Sequence, residues 1–130
     1  MGVLRNVTRG AVIAREMRQA DSPWQRMVGL IGACALDPDG GLWIEPCSAI
    51  HTIGMRFAID VLFLDRAGCV VAIAPSVPPL RPYISHRNAA IIVELPAGSV
   101  AQNMICPGDE LALISSRGDR YRPTSGHGTG

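Results

Sequence analysis

The chain has 130 residues, of which 12 are basic and 11 acidic, and its net charge of +1 favours neither nucleic acid nor an anionic membrane as a partner. All 12 basic residues are arginine, which excludes a Schiff-base lysine and a lysine general base. This length predicts one domain that needs no disulfide or metal staple. The 4 cysteines form no C-x-x-C pair, and no stretch has the character of a signal peptide or membrane span, so we expect free thiols and a cytoplasmic location.

The first third of the chain predicts two strands and one helix. The strands are expected over residues 3–8 and 11–17, where apolar and polar residues partly alternate. Ser22 and Pro23 then suit the first positions of a helix, and apolar residues follow at helical spacing. We therefore expect an amphipathic helix over residues 23–31, packed on the sheet through its apolar stripe.

The centre of the chain holds its longest apolar stretch, which one acidic residue interrupts. A strand is expected over residues 42–45, and residues 57–64 are apolar at nearly every position, which is typical of a strand covered on both faces. The exception is Asp60, which shares a face with Leu62 and Leu64 at strand spacing. We expect its carboxylate to be hydrogen-bonded or ion-paired rather than solvated.

A proline-rich segment follows the next predicted strand, residues 69–74. Four prolines interrupt residues 74–88, which we therefore expect to form a long, stiffened loop of a kind that is often functional. This segment contains Arg81, His86 and Arg87 and no acidic residue, so an anion would find it electrostatically attractive.

The last part of the chain predicts two strands around a short helix. The strands are expected over residues 89–95 and 110–115, and the helix over residues 99–104. Ser99 and Gln102 have the spacing of a capping box at the start of this helix.

The order of these elements predicts the fold class and the domain boundary. Many short strands with few helices favour a mainly β domain, either an antiparallel barrel or a jelly-roll-like sandwich, with one amphipathic helix and one short helix. We expect this single domain to occupy residues 1–116. The composition of residues 117–130, rich in glycine, serine and threonine, predicts a flexible tail.

An ordered set of residues runs through most of the chain. Its central members are Cys47, Ile50, His51, Thr52, Met55, Arg56, Phe57, Ile59, Asp60, Phe63, Leu64, Asp65 and Gly68. Further members are Gly29, Leu30, residues 94–98, Gly108 and Asp109. Together they resemble the signature of the family called domain of unknown function 192, over roughly residues 22–113. The resemblance implies a compact jelly-roll or barrel fold in a stand-alone bacterial or archaeal protein, and it implies no activity.

Polar side chains of this signature and of the proline-rich segment are candidates for one ligand-binding pocket. They are His51, Thr52, Arg56, Asp60, Arg81, His86 and Arg87. Arg56 could hold a carboxylate or phosphate with two hydrogen bonds, and His51 could act as an acid, a base or a donor. Alternatively, Arg56 and Asp60 form an ion pair that ties two strand segments together, and His51 is a satisfied, half-buried histidine.

Three classes of function remain open. The leading class is a small binding or accessory module whose pocket near His51 and Arg56 takes a small anionic ligand or a chain terminus. The second is a small hydrolase that uses His51 with Asp60 or Cys47, and the third is a structural protein-interaction domain. A metal site at Cys47 and His51 would need two further ligands, for which His86 and Cys106 are the only obvious His or Cys candidates. We expect no metal and no cofactor. We also expect no nucleic-acid or membrane partner, and the sequence identifies no protein partner.

Overall fold

A computed structural model describes residues 2–20, 38–52, 55–81 and 84–121 of the chain. The predicted amphipathic helix over residues 23–31 lies outside the described residues.

Short strands dominate the part of the chain that the structure describes. In chain order the elements are β1 Gly2–Asn6, β2 Ala11–Ala20, β3 Gly40–Ile44, β4 Ala49–Ile50, β5 Ile59–Leu64, β6 Val70–Val77, β7 Ile84–Ser85, β8 Ile91–Pro96, α1 Ser99–Gln102 and β9 Leu111–Ser115. The prediction of a mainly β, single-domain fold with one short helix is confirmed.

Seven of these strands form one curled sheet in the order β6-β5-β8-β3-β2-β1-β9, and β4 pairs with β7 in a separate two-stranded ribbon. Neighbouring strands are antiparallel except β2 and β3, which are parallel. A parallel pair needs a long crossover instead of a tight turn. The chain between these two strands, residues 21–39, falls mostly outside the described ranges.

The two edges of the large sheet meet at one end and curl it into a half-barrel. Cys69 pairs with Glu110, and the Leu111 N–H donates to the Gly68 carbonyl over 2.9 Å. Gly68 has a φ of 90°, and a Cβ at this position would lie 2.5 Å from the Leu111 carbonyl oxygen. Glycine is therefore required where the edges approach each other.

Strand β5 is buried along its whole length because apolar clusters cover both of its faces. Leu62 and Leu64 belong to the cluster inside the half-barrel. Val61 and Phe63 belong to the cluster on the other face of the sheet, which includes Ile50 of the ribbon. Fully burying one such side chain contributes about 1.5–3 kcal/mol, so this strand is central to the stability of the fold. The predicted double-sided burial is confirmed.

The prediction of one long loop over residues 74–88 is wrong in part. Strand β6 continues through Pro75 to Val77, and β7 gives regular structure to Ile84 and Ser85. The physical reason is that β6 lies at the edge of the sheet, where a residue without an N–H does not break a ladder between two neighbours.

The predicted capping box of the short helix is also wrong. The N-cap residue is Gly98, with a φ of 94°, and no side chain of its own segment caps the helix. Asp60 of β5 supplies the acceptor instead, since its Oδ2 accepts hydrogen bonds from the Gly98 N–H at 3.1 Å and the Val100 N–H at 2.9 Å. A carboxylate from a distant strand thus replaces Ser99 as the cap.

The residues that follow β9 turn back along it. Ile114 pairs with Arg120, and the Tyr121 N–H donates to the Leu113 carbonyl over 2.7 Å. Tyr121 packs against the core inside the half-barrel. The domain limit at residue 116 and the flexible tail over residues 117–130 stay predictions, and residues 122–130 lie beyond the described part of the chain.

Candidate functional site

The buried side chain of Thr52 organises the predicted site. Its N–H donates to the Arg81 carbonyl, and its hydroxyl accepts from the Arg81 N–H and donates to the Pro78 carbonyl, each over 2.8 Å. Its carbonyl accepts from the Leu80 and Met55 N–H groups, both at 3.1 Å. Thr52 therefore fixes the segment after β4 against the segment before β7, and it holds the backbone of Arg81 next to that of His51.

His51 carries a buried nitrogen that lacks a partner. The residue is half-buried, and its Nδ1 atom has no hydrogen-bond partner among the described residues. A buried polar atom that makes no hydrogen bond costs about 1–3 kcal/mol, so this nitrogen is suited to meet a water molecule or a ligand.

Two exposed arginines are close in the chain to the backbone hydrogen bonds of Thr52, or take part in them. Arg56 follows Met55, which is hydrogen-bonded to Thr52, and Arg81 is bonded to Thr52 directly. Both side chains are exposed, and neither forms an ion pair with another residue that the structure describes. The surface formed by His51, Arg56 and Arg81, here called the His51 face, is therefore positively charged.

Asp60 lies in the same part of the fold but serves the backbone. It is 1% exposed, and its Oδ1 accepts from the Ser76 N–H at 2.8 Å while its Oδ2 accepts from Gly98 and Val100. The expectation that this carboxylate is buried and hydrogen-bonded is confirmed. The alternative ion pair between Asp60 and Arg56 is not among the contacts of the described residues.

The last two predicted site residues lie at the other end of the ribbon. The ribbon pairs Ile50 with Ile84, so residues before β4 lie opposite those after β7. The His86 N–H accordingly donates to the Ser48 carbonyl over 3.2 Å. The His86 ring stacks on Phe63 with centroids 5.9 Å apart, and its Nδ1 accepts from the Asn88 N–H at 3.2 Å.

Arg87 is exposed next to the hairpin between β5 and β6, where it lines a surface depression with Asp65 and Arg66. Strand β5 is about 17 Å long, and Arg56 precedes its first residue while this hairpin follows its last. The structure thus brings His51, Thr52, Arg56 and Arg81 together and places His86 and Arg87 elsewhere. Their binding role stays a prediction.

The residues proposed for hydrolysis have other contacts. The Cys47 thiol donates to the Ala49 carbonyl over 3.2 Å, and both oxygens of Asp60 accept from backbone N–H groups. Within the described ranges, no three His, Cys, Asp or Glu side chains are grouped so that they could hold a metal ion.

A second polar site was missed by the sequence predictions, which placed residues 42–45 in a strand and nothing more. A cavity of about 370 Å³ opens at the mouth of the half-barrel between Trp43, Glu45, Arg66 and Tyr121. The Trp43 indole N–H donates to Glu45 Oε1 over 2.9 Å. Burial raises the pKa of the Glu45 carboxyl, and the hydrogen bond from Trp43 offsets part of this effect. We call this space the barrel-mouth cavity.

A third polar cluster fastens the turn before β9. Oδ2 of Asp109 accepts from Asn6 Nδ2 at 2.9 Å, Arg9 Nε at 3.0 Å and the Cys106 N–H at 3.0 Å. The pKa of Asp109 is lowered, first by the Asn6 hydrogen bond and then by the Cys106 N–H and Arg9. The Arg9 guanidinium also approaches the exposed Cys106 sulfur to 3.3 Å.

In the described part of the chain, no helix combines the length and the apolar character needed to cross a membrane. Asp109 and Asp60 both hold backbone segments in place. The barrel-mouth cavity and the His51 face each present polar atoms that a ligand could meet.

The chain resembles proteins whose activity is unassigned. A family model described as "Uncharacterized ACR, COG1430", DUF192, matches residues 5–113. The chain is 35% identical over 112 residues to "UPF0127 protein PF1050" of Pyrococcus furiosus, which covers 82% of this chain and 93% of that protein.

Two solved structures share the fold. A protein of Sinorhizobium meliloti 1021, provisionally described as a transcription regulator, matches with a TM-score of 0.74 at 25% identity and covers 86% of this chain and 92% of that one. A protein of unknown function from Novosphingobium aromaticivorans matches with a TM-score of 0.73 at 20% identity over 85% of this chain and 83% of that one. With the family model spanning residues 5–113 and this Pyrococcus relative, the chain belongs to the DUF192 family.

Proposed function

We propose that the chain is a small binding module whose His51 face takes the anionic group of a small molecule or of a chain terminus. The observation that carries this proposal is the buried Nδ1 of His51, which has no hydrogen-bond partner among the described residues. Thr52, the next residue, is hydrogen-bonded to the backbone of Arg81. A ligand oxygen would give this nitrogen a hydrogen-bond partner, with the guanidinium groups supplying the charge complement.

Electrostatics support an anion at this surface. Arg56 and Arg81 are exposed and form no ion pair with another described residue, and the buried carboxylate of Asp60 is occupied by backbone donors. A bound anion would supply the opposite charge and would accept hydrogen bonds from guanidinium groups. The same features disfavour a cationic ligand at this place.

The hydrolase alternative has less support from the geometry. A histidine general base needs a partner that orients it and a nucleophile or water that it activates. Asp60 makes its hydrogen bonds to Ser76, Gly98 and Val100, so it is not available to orient His51. Ligand binding requires neither an orienting partner nor a nucleophile, so binding is the function that we propose.

The cellular setting that we propose is the cytoplasm. The thiols of Cys69 and Cys106 form no disulfide bond, which suits a reducing compartment. The description of the Sinorhizobium protein as a regulator applies to that protein. The balanced charge of this chain supports a small anion rather than DNA as the ligand.

Phosphate is the probe that tests this proposal. If phosphate binds the native state alone, a concentration ten times its Kd stabilises the fold by about 1.4 kcal/mol, and the melting temperature rises by several degrees. Chloride at matched ionic strength corrects for general salt effects. Melting curves of the wild type should show the anion-specific increase.

Two arginine variants make the test specific to the His51 face. Arg56→Gln keeps most of the side-chain volume and removes the charge, so we expect it to fold and to lose the phosphate-specific increase. Arg15→Gln removes an exposed charge on β2, outside the His51 face, and should keep the increase. An equal response of the wild type and Arg56→Gln would show that Arg56 binds no anion, and the proposal would then be abandoned in favour of an interaction domain.

A further inference from the structure

The barrel-mouth cavity presents two opposite charges that are not paired with each other. Four charged residues line it, namely Glu45, Arg66, Glu110 and Arg120. Arg120 Nη1 lies 2.9 Å from Glu110 Oε2, so these two groups largely neutralise each other. Glu45 and Arg66 have no ion-pair partner among the described residues, which leaves one negative and one positive group at the rim.

The interior of the same cavity is apolar. Trp43 and Leu113 line it, and both are buried in the core of the half-barrel. Tyr121 adds a second aromatic side chain from the segment that follows β9. A pocket with apolar walls and a few polar groups at defined places is typical of small-molecule sites, and about 370 Å³ lies at the small end of their size range.

We propose that the barrel-mouth cavity binds a small zwitterion of the α-amino-acid type with an apolar side chain. The ammonium group pairs with the Glu45 carboxylate, the carboxylate pairs with the Arg66 guanidinium, and the side chain contacts Trp43 and Leu113. Each charged group at the rim is then paired with a ligand group of opposite charge, and the apolar wall of the cavity contacts the apolar side chain of the ligand.

The environment of Glu45 fits the ammonium half of this ligand. Trp43 occupies one carboxylate oxygen, Oε1, and leaves Oε2 for a further donor. Burial makes the charged form of Glu45 costly, and an ammonium group at hydrogen-bond distance would compensate for that cost. A ligand that carries only an anionic group would instead meet repulsion from Glu45.

The environment of Arg66 fits the carboxylate half. Arg66 is exposed at the hairpin between β5 and β6, so its side chain reaches the rim with its hydrogen-bonding groups available. A guanidinium group can hold a carboxylate with two parallel hydrogen bonds, which fixes the orientation of the ligand as well as its charge. A simple amine offers Arg66 no acceptor and is therefore the weaker ligand.

Calorimetric titration with L-leucine and two analogues tests the proposal. 4-Methylpentanoate lacks the ammonium group and 3-methylbutylamine lacks the carboxylate, while both keep the branched chain. We expect L-leucine to bind with a Kd in the millimolar range or below, and each analogue to bind at least about tenfold more weakly because one rim charge loses its partner.

The charge variants assign each group to its partner. Glu45→Gln keeps an amide oxygen for the Trp43 indole and should weaken the binding of L-leucine. The same change should not weaken the binding of 4-methylpentanoate, because it removes the repulsion between Glu45 and that anion. Arg66→Gln should weaken L-leucine while affecting 3-methylbutylamine little. Arg15→Gln, a change at an exposed residue of β2 that does not line the cavity, should leave L-leucine binding unchanged.

The wild type alone provides a second measurement that does not depend on a variant folding. Arg66, Glu110 and Arg120 line the same cavity as Glu45, and of these four groups Glu45 is the one whose pKa is raised. L-leucine affinity should therefore fall as the pH is lowered through the Glu45 pKa, since the protonated carboxyl no longer attracts an ammonium group. The proposal is overturned if L-leucine fails to bind, if it binds no better than both analogues, or if its affinity does not change over this pH range.

Discussion

Two buried carboxylates, Asp60 and Asp109, hold the fold together in different ways. Asp60 accepts hydrogen bonds on both oxygens, and its three donors are backbone N–H groups. Asp109 accepts its three hydrogen bonds on Oδ2 alone, and two of these donors are side chains, from Asn6 and Arg9. The first carboxylate joins backbone segments that have no substitute acceptor, whereas the second is the centre of a side-chain cluster near the surface.

This difference teaches that the number of occupied oxygens, more than burial, decides which substitutions a carboxylate tolerates. An asparagine has one acceptor oxygen and one donor group in place of the second oxygen. It can reproduce the contacts of Asp109 by placing its oxygen at the Oδ2 position. It cannot reproduce those of Asp60, because its amide nitrogen must then face a backbone N–H.

Asp60→Asn is expected to produce the largest effect. In either orientation of the asparagine amide, its NH2 group would face a backbone donor, which is the N–H of Ser76 in one orientation and the N–H groups of Gly98 and Val100 in the other. The free energy of unfolding should fall by about 3–5 kcal/mol, because buried donors lose their acceptor and meet another donor. Urea unfolding followed by circular dichroism measures this change. An unchanged midpoint would show that Asp60 is solvated and that its hydrogen bonds do not connect β5 to α1.

Asp109→Asn should cost much less, about 1 kcal/mol. The amide oxygen can still accept from Asn6, Arg9 and Cys106, and only the contribution of the negative charge is lost. Asp109→Ala, which removes the acceptor altogether, provides the matched comparison and should cost clearly more. If Asp109→Asn destabilised the fold as strongly as Asp60→Asn, the contrast between the two carboxylates would be refuted.

The pH dependence of stability gives the smallest and most specific effect. The pKa of Asp109 is lowered from its ordinary value of 3.8 in the folded state, so its charged form stabilises the fold above that value. This contribution disappears as the pH falls through the lower pKa of the folded state. The difference in unfolding free energy between the wild type and Asp109→Asn should therefore shrink as urea titrations move from neutral pH to below about pH 3.8. A constant difference would show that the charge of Asp109 adds nothing to stability.

Local patterns in the sequence were enough to predict β5 and the burial of Asp60. A run of apolar residues on both faces identifies a covered strand, and a lone acid within it needs hydrogen bonds. The donors themselves were not predictable, because Ser76 and Gly98 lie 16 and 38 residues further along the chain. Ser76 and Gly98 come close to Asp60 because the sheet curls, and short-range sequence patterns contain no information about this curl.

The candidate sites show the same limit. His51 and Arg56 were selected because polar residues stand out within an apolar stretch, and Thr52, which lies between them in sequence, is hydrogen-bonded to Arg81. His86 was grouped with them because it lies with Arg81 in the proline-rich segment without acidic residues, but the pairing of β4 with β7 places it away from His51. Glu45 and Arg66 were not connected at all, since only the closure of the half-barrel brings β3 and the hairpin after β5 to one cavity.

The bond between Ser76 and Asp60 also bears on the solubility of the protein. Strand β6 is the edge of the sheet, and an unpaired edge can recruit a strand from another molecule and begin aggregation. At Pro75 the chain has no N–H, and at Ser76 the N–H points inward to Asp60. Two successive positions of this edge therefore offer no donor to an incoming strand, so the contact that braces the interior also protects the outside of the sheet from edge-to-edge association.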